Sequence, residues 1–239
     1  MFKVNFLVYI FAIISILIGA YKEFIIINTL IIIHEFGHML IAKLYKVEVD
    51  KIYIYPLGGI TKLNMNLNIH PLKEFIIIIS GPLFQFIAYI FLITLFEKEI
   101  VNVYHIGILL FNLLPIYPLD GGKLLNIIMS SFIPYKKSLK LSVYLSYIFI
   151  IFIFIRNNNI KLNMIITIIL LMILVIKEEL KIEYKYHKFI LERYLNNYHF
   201  KKSSIITNEN NLYRNRRHLF KIKDKYYLES EYLYKKHQK

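Results

Sequence analysis

Residues 34 to 38 read His34-Glu35-Phe36-Gly37-His38 and sit inside Phe24 to Ala42, an otherwise mostly apolar run about as long as a membrane span. On a helix, positions i and i+4 share one face, so His34 and His38 aim two imidazoles at one point. That spacing suits Zn²⁺, with the intervening Glu35 as general base. Ionisable groups at bilayer depth are costly, about 2.5–3.5 kcal/mol for a mid-membrane Asp on insertion scales, and such groups usually serve a function. A random chain of this composition gives on the order of 0.01 matches to the pattern, so two core histidines satisfied by neighbouring carbonyls is the weaker reading.

The 239 residues are 57% hydrophobic and contain no cysteine. Zinc is therefore held by His, Asp or Glu, and cysteine usage says nothing of redox compartment. The net charge of +14 is uneven: residues 177–239 carry +8 of it. A basic polar tail on an apolar body predicts an α-helical polytopic membrane protein with a small basic cytoplasmic tail, divided at 1–176 and 177–239. About six transmembrane helices are expected, over Val4–Ala20, Phe24–Ala42, Phe75–Phe96, Tyr104–Met129, Leu141–Ile155 and Leu162–Ile176. The run from Met1 to Ala20 has no Ala-x-Ala site and reads as a retained anchor.

Lysines fill the connections after the second span (Lys43, Lys46, Lys51, Lys62, Lys73) and after the fourth (Lys136, Lys137, Lys140), which predicts both termini on the cytoplasmic side. The first of these connections holds two short strand-like runs, Val49 to Tyr55 and Ile60 to Leu67, around Pro56-Leu57-Gly58-Gly59. They predict a membrane-associated β-hairpin next to the metal helix. The Asn-rich stretch from Ile205 to Asn215 reads as a loop or weakly ordered segment.

Two histidines leave a catalytic zinc short of the usual three protein ligands. Asp120, the one acidic residue of the fourth span, beside the break made by Pro115, Pro118 and Gly121-Gly122, is the best candidate. Counted from the outer ends of their spans, His38 and Asp120 lie at depths of about 21 and 24 Å. A half-helix cap is the other reading of Asp120. Asn112 has donor and acceptor to offer a substrate backbone, or an interhelical hydrogen bond. Gly58 and Gly59 permit backbone geometry that a Cβ forbids, so Asn112, Pro118, Gly58 and Gly59 are candidates for binding substrate as an extended strand.

Together, His34-Glu35-Phe36-Gly37-His38, Gly58-Gly59, Ser80-Gly81-Pro82 and Asn112-Leu113-Leu114-Pro115-Ile116-Tyr117-Pro118-Leu119-Asp120-Gly121-Gly122 resemble the site-2 protease family of intramembrane zinc metalloproteases. The resemblance runs from about residue 30 to 130. It implies one zinc per chain, held by His34, His38 and Asp120, with Glu35 as base. Within the family the chain is most similar to the sporulation branch, of the stage IV sporulation protein FB type: it has no PDZ insertion, Gln85 where many relatives have Asn, and a basic tail after the last span. The tail runs Phe189 to Tyr194 and Tyr213 to His218 carry the likeness further. That branch implies cleavage of a membrane-associated pro-sigma factor in the mother cell of a sporulating bacterium, in the membrane around the forespore, under control of membrane inhibitor proteins. The tail is a shortened CBS-like module or docking segment, for which lipid rather than nucleic acid is the expected contact. Two alternatives stay open: a general site-2 protease trimming anti-sigma factors or signal-peptide remnants, and a non-enzymatic metal transporter or metal-stabilised membrane scaffold. Ionisable groups well inside the spans are nearly confined to His34, Glu35, His38 and Asp120, one site rather than a transport path.

Overall fold

A computed structural model describes residues 2–55, 58–156, 162–196, 198, 200, 202–222 and 225–237, and the chain divides into two compact units. The first unit holds residues 1–65 and 72–113. It begins with a strand that the sequence reading did not anticipate, β1 (Phe2–Val4), followed by α1 (Phe6–Leu17). Asn5 caps α1 by accepting the Leu7 N–H at 2.9 Å. Next come α2 (Tyr21–Leu44), β2 (Glu48–Tyr55), β3 (Gly58–Asn64), α3 (Pro71–Leu92) and α4 (Lys98–Leu113). Strands β2 and β3 run antiparallel with Ile54 opposite Gly59, and β1 joins β2 in parallel with Phe2 opposite Ile52. Pro56 and Leu57, expected at the turn, lie outside the described residues.

Three helices meet in the core of this unit. Ile26 and Leu30 of α2, Ala88 and Leu92 of α3 and Val101 of α4 are buried together. Gly37 lets α2 and α3 close up: a Cβ there would lie 2.7 Å from the Ser80 carbonyl oxygen and 2.8 Å from Phe84 Cβ. Elsewhere α3 is apolar and outward-facing, with Leu83, Phe86, Ile87, Ile90 and Phe91 all exposed. Such a face is a liability in water and ordinary against lipid.

The second unit holds residues 66–71 and 114–239. Its elements are α5 (Asp120–Phe132), α6 (Tyr135–Arg156), α7 (Leu162–Leu180), α8 (Ile182–Leu195), β4 (Ser203–Ile206), a 3₁₀ turn at Glu209–Asn211, β5 (Arg217–Ile222), β6 (Lys225–Leu228) and α9 (Glu229–His237). On α6, Ser138, Ser142 and Ser146 recur every four residues and are buried. Each hydroxyl bonds back to a carbonyl of its own helix, at 2.8, 2.8 and 2.7 Å. Ser138 Oγ also lies 3.1 Å from Asn126 Oδ1 of α5. Small hydrogen-bonding residues of this kind let apolar helices approach closely.

Among the described residues, three helices, Tyr21–Leu44, Pro71–Leu92 and Tyr135–Arg156, are long and apolar enough to cross a membrane. The other expected spans are shorter or more polar. Helix α1 has 12 residues: Val4 enters the sheet, Asn5 caps the helix, and it stops at Leu17, three residues short of Ala20. The run from Tyr104 to Met129 is split by residues 114–119 between α4 and α5, of 16 and 13 residues, or about 24 and 20 Å of helix. Helix α7 carries Lys177, Glu178 and Glu179 in its last turn.

The tail holds a second three-stranded sheet. Strands β4 and β5 pair in parallel, and β5 and β6 antiparallel. Within the Asn-rich stretch, Ile205 and Ile206 belong to β4 and Leu212 is fully buried. Residues 207–215 are turn and 3₁₀ structure, in keeping with the loop expected there, and Asn208 caps the 3₁₀ turn, accepting the Asn210 N–H at 3.1 Å. Arg193 of α8 is buried beneath this sheet. It gives two bonds to the Glu229 carboxylate at 2.9 and 3.0 Å and others to the carbonyls of Tyr213, Arg214 and Arg216. Its Nε donates to Asn68 Oδ1 at 2.7 Å, and Glu192 accepts from the Leu67 N–H at 2.7 Å, so helix α8 grips the loop before α3. The two tail runs singled out in the sequence meet here, because Arg193 lies 3.2 Å from His218. Part of the tail's positive charge is therefore spent inside the fold.

Candidate metal centre

His34 and His38 lie one turn apart on α2 and both are buried. A glycine facing them makes the room: a Cβ on Gly81 of α3 would stand 2.3 Å from His38 Nε2 and 2.8 Å from His34 Nε2. His38 Nδ1 lies 2.8 Å from the Ile77 carbonyl oxygen. A carbonyl only accepts, so Nδ1 carries the hydrogen and the neutral ring presents its lone pair at Nε2. His34 Nδ1 lies 3.0 Å from Gln85 Oε1. Behind it, Gln85 Nε2 is 3.0 Å from the His105 carbonyl oxygen and 3.3 Å from His105 Nδ1.

The two Nε2 atoms are 3.2 Å apart. A tetrahedral ion with Zn–N bonds of about 2.0–2.1 Å sets two nitrogens about 3.3 Å apart. Two imidazole lone pairs converging at that separation fit a nitrogen-ligated cation, so the donor pair suits zinc.

Glu35 is half-buried on the same helix, one residue from His34. A Cβ on Gly59 of β3 would lie 2.3 Å from Glu35 Cγ. That glycine therefore makes space for the candidate base. Its φ lies outside the left-handed region among the described residues, so backbone freedom is not why it is there. Gly58 opens β3 opposite Tyr55. Asn112 is half-buried in the last turn of α4.

Asp120 belongs to the second unit, as the first residue of α5, and it is buried. The helix N-terminus favours its carboxylate, and Lys123 one turn on pairs with it at 3.0 Å. The segment before it is held from two sides. The Tyr117 N–H donates to Ser146 Oγ at 2.8 Å, and Lys185 of α8 donates to the Tyr117 hydroxyl at 3.0 Å. A Cβ on Gly122 would lie 2.4 Å from the Tyr117 nitrogen, so the break folds tightly back on the start of α5. Pro118 is half-buried within it.

Some of these groups were not legible as site residues. Gln85 stood out only as a departure from relatives, and His105 sits at the start of the apolar run from Tyr104, where an ionisable group carries no site signal of its own. Nothing in the sequence pairs His105 with Gln85, 20 residues away. Gly81 carried a family signal, but the physical reason for it, the two ring nitrogens in front of it, is tertiary.

Comparison with known proteins agrees with this picture. Residues 22–104 match the model of peptidase family M50. The chain is 34% identical over 152 residues to stage IV sporulation protein FB of Bacillus subtilis (strain 168), covering 60% of this chain and 52% of that protein. It is also 34% identical over 130 residues to a zinc metalloprotease of Methanocaldococcus jannaschii, covering 50% of this chain and 38% of the relative. The chain thus spans about half the length of the first relative and less of the second. Among solved structures, the site-2 protease from Methanocaldococcus jannaschii superposes with a TM-score of 0.54 at 24% identity, over 74% of this chain and 89% of that one. Residues 22–104 are thus similar to peptidase family M50, and the fold is like that of the site-2 protease from Methanocaldococcus jannaschii.

Proposed function

We propose that this chain is an intramembrane zinc endopeptidase that cuts a membrane-associated protein substrate within or near the bilayer. The observation that carries the reading is the pair of Nε2 atoms 3.2 Å apart on α2, with Glu35 between their residues, in a segment that matches the M50 model. His34, His38 and Asp120 would hold the metal, since all three are buried and each offers one ligand atom. Zinc, when bound, polarises the scissile carbonyl and lowers the pKa of water. The chain's own residues do the rest. Glu35 takes the proton of the attacking water and hands it to the leaving amine. The β2–β3 hairpin, with Gly58 and Gly59, Asn112 at the end of α4 and Pro118 in the break, would present substrate as an extended strand. Proteolysis needs an exposed peptide bond, which a helical substrate hides in its i→i−4 bonds.

The substrate is a pro-sigma factor during sporulation, by the likeness to the stage IV sporulation protein, and membrane inhibitor proteins would control the enzyme. The charge pattern supports a multi-pass protein with both termini cytoplasmic, in the membrane around the forespore. The tail, residues 177–239, would dock substrate. Co-expression with membrane-tethered pro-sigma candidates tests the reading. Wild type is expected to release the shortened product; Glu35→Gln is expected to release none while retaining about one zinc per chain, and His34→Ala to lose the metal. Cleavage by Glu35→Gln at the wild-type rate would remove Glu35 from the chemistry, and full zinc in Asp120→Asn would move the third ligand elsewhere.

A further inference from the structure

Gln85 is fully buried on α3, between His34 of α2 and His105 of α4. A buried amide can be turned either way, and which way decides what it asks of its neighbours. Here the choice is forced. The main-chain carbonyl oxygen of His105, 3.0 Å away, can only accept, so the group facing it is the NH₂ and the group facing His34 is the carbonyl oxygen. That oxygen can only accept as well. His34 Nδ1 therefore carries its hydrogen, and the lone pair lies on Nε2, the atom beside Gly81 and His38. The second NH₂ hydrogen points at His105 Nδ1, 3.3 Å away, whose ring stacks on Tyr89 at 4.5 Å.

We infer that Gln85 is a positioning residue for the metal centre, one that locks His34 in its ligand tautomer and orientation, and that its own orientation is set by the main chain at His105 rather than by the His105 ring. The inference rests on the reading of His34 as a metal ligand. Partners of this kind, which hold the far nitrogen of a ligating imidazole, are worth 10–100-fold in metal affinity.

The test is chelator competition for Zn²⁺ on the detergent-solubilised full chain, with the visible spectrum of the Co²⁺-loaded protein as second readout. Gln85→Met keeps the volume and removes both bonds; its zinc dissociation constant is expected to rise 10–100-fold and its Co²⁺ bands to shift. If the Met variant fails to fold, Gln85→Leu, which also lacks any hydrogen-bonding atom, carries the same expectation. Gln85→Glu offers His34 an acceptor in either protonation state and is expected to restore affinity to within about threefold of wild type. His105→Phe keeps the main-chain carbonyl and the aromatic stack and is expected to stay within about threefold too. Wild-type affinity with an unshifted spectrum in the Met variant overturns the inference, as does a Glu variant no tighter than Met. A His105→Phe loss as large as that of Gln85→Met overturns the main-chain assignment. A wild-type chain that binds no zinc, or a His34→Ala chain that binds as well as wild type, would instead sink the reading of the metal site.

Discussion

Adding one methyl group at Gly81 strikes the candidate site without touching a candidate ligand. The Cβ of Gly81→Ala would stand 2.3 Å from His38 Nε2 and 2.8 Å from His34 Nε2. The closer approach is about 1 Å inside van der Waals contact. Neither ring can swing aside freely, because His38 Nδ1 is tied to the Ile77 carbonyl at 2.8 Å and His34 Nδ1 to Gln85 at 3.0 Å. Relief therefore comes from breaking one such bond, about 0.5–1.5 kcal/mol, or from pushing α3 away from α2 at the usual overpacking cost of about 1–3 kcal/mol. Helix separation is resisted at Gly37, where α2 and α3 already touch. A metal centre tolerates ligand displacements of about 0.2 Å, so a shift approaching 1 Å is expected to weaken zinc by at least about 10–100-fold. Chelator competition on the solubilised full chain measures this, with thermal unfolding in excess chelator as the control for folding. An Ala variant that binds zinc as tightly as wild type would refute the packing argument.

Two further outcomes concern the tail. Arg193→Met leaves Glu229 buried without its cation and is expected to destabilise the tail by about 3–5 kcal/mol, read as protease sensitivity against urea, whereas Arg193→Met with Glu229→Leu should recover part of the loss. A single variant as resistant as wild type would contradict this. His218 accepts the Tyr213 N–H at Nε2, 2.9 Å away, and burial holds its pKa below the ordinary value of about 6.5 despite the Glu229 carboxylate beside Nδ1. The unfolded chain then takes up a proton that the folded tail refuses, so this stability is present above about pH 6.5 and is lost as pH falls below it. Urea unfolding between about pH 7.5 and 5.5 is expected to show that fall and His218→Asn to flatten it, whereas parallel pH profiles for the two proteins would exclude His218 as the cause.

Much of this protein is legible without a structure. Helix periodicity places His34 and His38 on one face, and composition marks their helix as apolar, because spacing along a helix is fixed by 3.6 residues per turn. Pro115, Pro118 and the glycine pair likewise announce a break ahead of Asp120, since proline has no N–H to give. The two runs of strand-like residues on either side of Pro56-Leu57-Gly58-Gly59 mark where β2 and β3 lie. Other features depend on distance in space, which no local pattern encodes. Val4, read as the start of an apolar span, instead closes β1, because a partner strand 50 residues away offers hydrogen bonds. Leu212, inside the Asn-rich stretch read as a loop, is fully buried, which its polar neighbours in sequence do not announce. Gly59 and Gly81 earn their places through the side chains opposite them, Glu35 and the two imidazoles, rather than through backbone freedom. The tautomer of His34 is set by a carbonyl on another helix, reached through Gln85, because a buried amide takes its orientation from whichever neighbour cannot turn.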